Sequence, residues 1–326
     1  MPPHPPLVLL LTHSGDHTVV ERVAQELAAL GAQSYRLDSD RVPADVRICA
    51  RIETGGSAHR LAGPGGALDL SDVAAVWLRR VSAPRLPDDL DPGFREACER
   101  ETAAGLAAFL DALDGVRWVN APSANRAAEN KARQLRLARE VGLTIPRTLL
   151  GNDPARLKAF FAELDGRVVA KMLTPLSSAM EKAPRFVRTT ELAEADLEHA
   201  ELLRYSPMAF QERVEKEVEL RVACVGDELF TGAIDASGSS LGRTDWRGAT
   251  PAEARWTRAE LPDGVARSLR ALVRALGLVY GAADLIRTPD GEHVFLELNP
   301  GGEWGMLELA LELPIAAALA RSLLTP

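Results

Sequence analysis

Residues 279–305 read VYGAADLIRTPDGEHVFLELNPGGEWG. Two apolar runs, Val279 to Ile286 and Val294 to Leu298, flank a Pro289-Asp290-Gly291 turn sequence. Apolar runs joined by such a turn predict a β-hairpin. Three oxygen-bearing side chains decorate it, Asp284 on the first strand and Glu297 and Asn299 on the second. Side chains alternate along a strand, so Glu297 and Asn299 share one face, and hairpin pairing brings Asp284 alongside them.

A carboxylate in the middle of an apolar strand is costly to desolvate unless a cation meets it. Hard oxygen donors at this spacing suit Mg2+, which takes a few carboxylates and leaves its other positions to water or phosphate. The competing reading is an exposed hairpin face with incidental polar residues.

The 326 residues suffice for two or three domains with sizeable cores. An apolar content of 46% and a charged content of 26% are ordinary for a globular protein. A net charge of −8 argues against a general binder of nucleic acid or anionic membrane. Any bound phosphate must therefore be met by a few local cations. Cys49, Cys98 and Cys224 are scattered and odd in number, which suits a reducing cytoplasm rather than a disulfide framework or zinc site. The N-terminal MPPHPPLVLLLTHSGD lacks the basic region and long apolar run of a signal peptide, and its apolar run is too short to span a bilayer.

The run LVLLLT at 7–12 predicts a buried parallel strand. A periodic stretch from Thr18 to Leu30 predicts a helix stopped by Gly31. Strands at 34–38, 46–53 and 73–78 complete a small open α/β sheet. THSGDH at 12–17 lies at the end of the first strand and is read as a plain turn in preference to a binding loop. AVWLRR ends a strand with Arg79 and Arg80, where open α/β sheets place their ligands. They are read either as a bidentate grip on carboxylates or as surface residues capping a strand. Asp91-Pro92 opens a helix over 92–113, and Ser123 caps a helix predicted to run unbroken to Val141, with Lys131 inside it.

A new unit begins near Ile145-Pro146, where Asp153 caps a helix to about Leu164. Lys171 follows in the strand RVVAKML, where it either snorkels to water or meets an anion, the reading we favour. A loop from 174 and a strand at 184–189 precede a helix over 191–204 with an acidic face that includes Glu191, Glu194 and Asp196. MAFQERV and EVELRVACVG predict two strands, the second setting Glu219 and Arg221 on one face. ELFTGAID pairs with it across Gly226-Asp227, and SGSSLGRTDWRGAT is a long polar loop of the kind that covers an active site. A helix at 265–276 leads into the hairpin, and helices near 303–310 and 314–324 close the chain.

In this order and spacing, residues 120–324 resemble the ATP-grasp superfamily of carboxylate–amine ligases. The resemblance implies an α/β (α+β) fold in three parts. These are an N-terminal open α/β domain (1–120), a central subdomain with a peptide-binding insertion (121–210), and a C-terminal antiparallel-sheet subdomain with the Mg2+ site (211–326). Lys131 and Lys171 match the family's phosphate-binding lysines, and Gln211-Glu212-Arg213-Val214 matches the hinge that meets adenine. Glu219 falls where an acid binds the ribose hydroxyls, and Asp284, Glu297 and Asn299 match the Mg2+ set. One departure stands out, because LTPLSSAMEKAPR after Lys171 holds no glycine where many members close a glycine-rich loop over the triphosphate.

Finer features resemble the graspetide ligases, the microviridin-type peptide macrocyclases. They are LDSDRVP at 37–43, AVWLRR at 75–80, FREACERE at 94–101, KML at 171–173, PMAFQE at 207–212 and ELRV at 219–222. TDWRG at 244–248, YGAADLI at 280–286 and FLELNPGGEW at 295–304 complete the pattern. The resemblance implies ATP and Mg2+ as cofactors, a ribosomal precursor peptide of leader and core as partner, a homodimer, and no nucleic acid or membrane. It implies phosphorylation of Asp or Glu side chains and their joining to Ser or Thr hydroxyls or Lys amines. Arg221, Lys171 and Arg247 are then the catalytic candidates, and Arg79, Arg80 and Arg247 the grips on the core peptide. Glu191, Glu194 and Asp196 would meet the leader, although a solvated helix face explains those acids equally well. Another ATP-grasp ligase, adding glutamate to a protein or joining metabolites, shares the nucleotide set, as does a non-catalytic ATP- or peptide-binding module.

Overall fold

The structure is a computed structural model and describes residues 5–113, 115–173, 189–235 and 255–325. The chain divides into two compact units, Met1–Pro122 with Pro314–Pro326, and Ser123–Leu313.

In the first unit, β1 (Leu7–Thr12) buries five of its six residues, as a wholly apolar run demands. Helix α1 (Thr18–Ala29) turns Val19, Val20, Val23 and Leu27 inward, and Gly31 takes the left-handed φ of +77° that ends it. Next come β2 (Gln33–Asp38), β3 (Arg47–Glu53), β4 (Gly56–Gly63), β5 (Gly66–Asp69) and β6 (Val73–Leu78), then α2 (Arg95–Asp111) and β7 (Arg117–Val119). Strands β2-β1-β6-β7 form a parallel sheet in that order.

The strand predicted at 46–53 exists but lies outside this sheet, in an antiparallel three-stranded meander with β4 and β5. Thr54-Gly55 folds the chain straight back after Glu53, so pairing with the next strand needs no crossover. The helix expected from Pro92 opens as a 3-10 turn over Pro92–Phe94, with the Asp91 carboxylate accepting from the Gly93 amide at 2.8 Å.

The second unit opens with two helices where one was predicted, α3 (Pro122–Ala128) and α4 (Lys131–Glu140). The break is chemical, since Asn130 takes an extended backbone and its side chain accepts from the Arg133 amide at 2.9 Å, capping α4. Then follow β8 (Thr148–Gly151), α5 (Pro154–Glu163), β9 (Val168–Lys171), β10 (Thr190–Glu191) and β11 (Met208–Glu212). These strands form an antiparallel sheet ordered β10-β9-β11-β8, over a core of Leu157, Leu164, Val168, Leu203 and Phe210. The strand predicted at 184–189 lies outside the described residues except for Thr189, which is not in a strand.

The acidic helix predicted at 191–204 also differs. Glu191 pairs with Val169 as part of β10, and the helix is a 3-10 helix over Glu194–Tyr205. Its apolar residues Leu197, Ala200 and Leu203 recur every third position, the spacing that a 3-10 helix stacks on one face.

A larger antiparallel sheet completes this unit: β12 (Val218–Val225), β13 (Glu228–Asp235), β14 (Arg255–Arg258), and, after α6 (Asp263–Ala275), β15 (Tyr280–Arg287) and β16 (His293–Asn299). Its order is β14-β13-β12-β15-β16, so the hairpin β15–β16 lies at one edge. Leu269, Leu272, Val273 and Leu276 of α6 share one core with Leu220, Val222, Leu285, Phe295 and Leu298 of the sheet. Helix α7 (Gly305–Leu311) ends the unit, and α8 (Ile315–Leu324) clusters with the first unit rather than with the sheet preceding it. Among the described residues, no helix is long and apolar enough to cross a membrane.

Candidate active site

The hairpin places Asp284 directly opposite Glu297 in register, and a bulge between Asp284 and Leu285 shifts the strands just beyond that pair. Asn299 follows two residues on, with its amide nitrogen 3.4 Å from Glu297 Oε1. The predicted trio is therefore gathered on one stretch of the sheet. Asp284 is 7% exposed and Arg221, its register partner on β12, is 4% exposed. Arg221 Nη1 lies 2.7 Å from Asp284 Oδ1, and its Nε and Nη2 donate to the Glu303 carbonyl at 3.3 and 3.0 Å. Arg221, expected beside Glu219 as a stabiliser of transferring charge, is thus anchored against Asp284. Gly302 permits this closeness, because a Cβ there would lie 2.8 Å from Arg221 Nη2 and 2.5 Å from the Ala282 Cβ.

Helix α4 lies along the open edge of β16. Lys131 Nζ, at the helix start, is 2.6 Å from Glu297 Oε2. One turn on, Gln134 is 4% exposed and donates to the Leu298 carbonyl at 2.8 Å while accepting from the Leu298 amide at 2.9 Å. It donates also to the Ala128 carbonyl.

A cleft beside these residues is lined by Lys131, Lys171, Gln134, Thr148, Gln211 and Glu297, with Leu135, Leu150, Ala209 and Leu296 as its apolar walls. Both predicted phosphate lysines thus reach one cavity, Lys171 from β9 opposite Ala209 of β11. Gln211 donates to the Thr148 hydroxyl at 3.2 Å. Its neighbour Glu212 points the other way along the strand, to Arg147 Nε at 3.2 Å, and Arg147 also meets Glu163 at 3.0 Å. The Glu212 contact raises the pKa of the Arg147 guanidinium. Val214 is half-buried in the connector beyond β11. Glu219, predicted for ribose, accepts from Lys216 at 2.5 Å.

Other candidates sit elsewhere. Arg79 is 2% exposed, with Nε 3.4 Å from the Asp16 carboxylate, which in turn accepts from the Thr12 hydroxyl at 2.9 Å. Its guanidinium is buried, whereas Arg80 is exposed. Arg247 lies outside the described residues. Glu191 pairs with Arg213 at 2.9 Å, Asp196 accepts from the Ala193 amide at 2.8 Å, and Glu194 is exposed at the start of its 3-10 helix. THSGDH is a turn, as read, closed by the Asp16 amide donating to the His13 carbonyl at 3.0 Å. Its Ser14 amide and hydroxyl donate to Asp40 at 2.7 and 2.6 Å, and Arg85 Nε is 3.1 Å from Asp40. Burial pushes the Asp40 carboxyl up, but the Ser14 hydrogen bonds and Arg85 outweigh it and hold the pKa below the ordinary value.

The side chains present fit a hard divalent cation beside nucleotide phosphates. Among the described residues no group of three His, Cys, Asp or Glu gathers as a metal cage. Two carboxylates and one amide instead meet at Asp284, Glu297 and Asn299, the sparse oxygen set that suits Mg2+ held jointly with phosphate. The sequence reading missed Gln134, Thr148, Lys216 and Asp16. Only Gln134 carried a signal, a glutamine three residues after Lys131 on the same helical face.

Residues 7–126 match the model of the MvdD pre-ATP grasp domain. The macrocyclase MdnB from Microcystis aeruginosa MRC is 42% identical, covers 99% of this chain and 100% of its own, and superposes with a TM-score of 0.84. The macrocyclase MdnC from the same organism, solved bound with precursor peptide MdnA, is 32% identical over 97% of this chain and 99% of its own, with a TM-score of 0.87. A Chryseobacterium gregarium RiPP-associated ATP-grasp ligase, in complex with ADP and a leader and core peptide, is 30% identical over 98% and 96%, with a TM-score of 0.89. A comparison with curated protein sequences gives no match. With this likeness running the length of the chain, the protein belongs to the RiPP ATP-grasp macrocyclases of the microviridin, or graspetide, type and is an ATP-dependent ligase.

Proposed function

We propose that this enzyme closes macrocycles in a ribosomal precursor peptide, with Asp284, Glu297 and Asn299 holding Mg2+ and Lys131 and Lys171 meeting the nucleotide phosphates. The observation that carries this reading is the convergence of Lys131, Lys171, Gln211 and Glu297 on one cleft, with Asp284 opposite Glu297 at its edge. A carboxylate does not condense with an alcohol or amine in water, because its oxygen is a poor leaving group. Transfer of the γ-phosphoryl group to an Asp or Glu side chain gives an acyl phosphate and releases ADP. A Ser or Thr hydroxyl or a Lys amine then attacks the acyl carbon, and phosphate leaves. The bound cation would supply charge neutralisation over the phosphates.

The protein's own share is to position and to balance charge. Gln211, Glu212 and Val214 would frame the adenine and Glu219 the ribose. Arg221 holds Asp284 in place and, with Lys171 and Arg247, is the candidate to stabilise transferring charge. Arg79, Arg80 and Arg247 are the candidate grips for the acidic core residues, and Glu191, Glu194 and Asp196 for the leader. The three free cysteines suit action in the reducing cytoplasm, and a homodimer is the expected assembly.

The test is mass spectrometry of the precursor peptide after incubation with enzyme, ATP and Mg2+. Loss of one water's mass per bond, in integer multiples, is expected, and hydroxylamine then separates ester from amide. Gain of amino-acid residue masses would instead mark a ligase that adds residues and would overturn macrocyclisation.

A further inference from the structure

We propose that Gln134 is a positioning residue for the oxygen-donor edge of β16, a claim that rests on Glu297 and Asn299 being metal ligands. Strand β16 ends the five-stranded sheet, so one side of its backbone lacks a strand partner. Near its start that edge is met by the Thr144 carbonyl, which accepts from the Phe295 amide at 2.8 Å. At Leu298, between the two ligands, the partner is a side chain. The Gln134 carboxamide receives the Leu298 N–H and donates to the Leu298 C=O, reproducing with one amide what a neighbouring strand would supply.

The bracket is itself locked. Gln134 is buried, donates as well to the Ala128 carbonyl, and sits one turn beyond Asn130, whose side chain fixes where α4 begins. Lys131, on the same first turn, meets Glu297. Helix α4 thus holds the peptide between the two ligands through Gln134 and one ligand side chain through Lys131. A cation at Glu297 would compete with the Lys131 contact, whereas it would leave the Gln134 contacts to the backbone untouched. Gln134 therefore keeps Glu297 and Asn299 at a set separation whichever partner Glu297 has. Groups that orient metal ligands from behind tune affinity without touching the ion.

The test uses Mn2+ as the probe, with its affinity read from the paramagnetic resonance of the free ion in the presence of ADP. Gln134→Met keeps the length and burial of the side chain but removes both bonds to Leu298. Mn2+ affinity is expected to fall about 10-fold or more, while ADP affinity without metal stays unchanged. A folded Gln134→Met with wild-type Mn2+ affinity and only a lower melting temperature would show that the glutamine merely seals a sheet edge, and would overturn the proposal. Should that variant fail to fold, Gln134→Asn, one methylene too short to reach Leu298, takes its place under the same criteria. Glu297→Gln measured alongside separates the two claims. If it retains wild-type Mn2+ affinity, the metal assignment itself falls. If it loses affinity while Gln134→Met does not, only the role of Gln134 falls.

Discussion

Arg221 and Asp284 face each other across β12 and β15 at 2.7 Å, both nearly shut off from solvent. A buried pair like this is costly to break from one side, because the survivor is left charged and unpaired. Arg221→Met is expected to lower unfolding free energy by about 3–5 kcal/mol. Arg221→Met/Asp284→Leu should recover most of that loss in urea titrations while remaining inactive. A double variant that regains stability and turns over ATP would show that the pair is structural only.

Glu297 has two claimants, Lys131 at 2.6 Å in this structure and the proposed cation. Glu297→Gln should abolish ATP consumption while far-ultraviolet circular dichroism stays that of the wild type. Lys131→Met should weaken nucleotide binding roughly 10-fold or more, the worth of a charge-assisted hydrogen bond. The same change should tighten binding of Mn2+ alone, since the competitor for Glu297 is gone. Titration calorimetry with ADP and with Mn2+ separately reads both signs, and a loss of affinity for both would refute the exchange.

Asp40 ties the Ser14 turn to Arg85, and its carboxyl pKa is held below the ordinary value. A depressed folded pKa contributes stability in full above the unfolded value, roughly 4, and loses it as pH falls through the folded one. Asp40→Asn should therefore cost stability at neutral pH. The gap from wild type should stay constant down to about pH 5 and narrow below roughly pH 4. Urea unfolding across that range checks it, and a gap that widens on acidification would contradict the sign.

Cys224 is buried, and burial pushes its thiol up to about 12 despite Arg221 and Arg270 nearby. Cys49 is exposed and Cys98 half-buried. Reactivity follows the thiolate and its access. A disulfide reagent at neutral pH should label Cys49 rapidly and Cys224 only at the rate at which its sheet unfolds. Early labelling of Cys224 in the native protein would contradict its placement.

The hairpin, the strand–helix–strand opening, the caps at Asp91 and Asp153 and most strands were legible because each is dictated by local pattern, alternation, periodicity or a side chain reaching a nearby amide. Asn130 shows where such reading slips, since a run with good helical periodicity is cut by one capping residue whose conformation the pattern does not reveal. The 3-10 helix at 194–205 and the meander at 47–69 slipped as well, because an apolar repeat of three and a glycine turn went unread.

The sequence by itself determined that Asp284, Glu297 and Asn299 share one hairpin, because turn chemistry and strand alternation are local, and it determined the order of motifs that marks the family. Tertiary structure alone decided which charge meets which. Lys131 lies 166 residues from Glu297 along the chain, Arg221 lies 63 from Asp284, and Gln134 lies 164 from Leu298. No local rule reports such separations, since they are set by which helix covers which sheet edge. For the same reason Arg79 and Arg80, alike in sequence, part company in the fold: one side chain is buried beside Asp16 and the other is exposed.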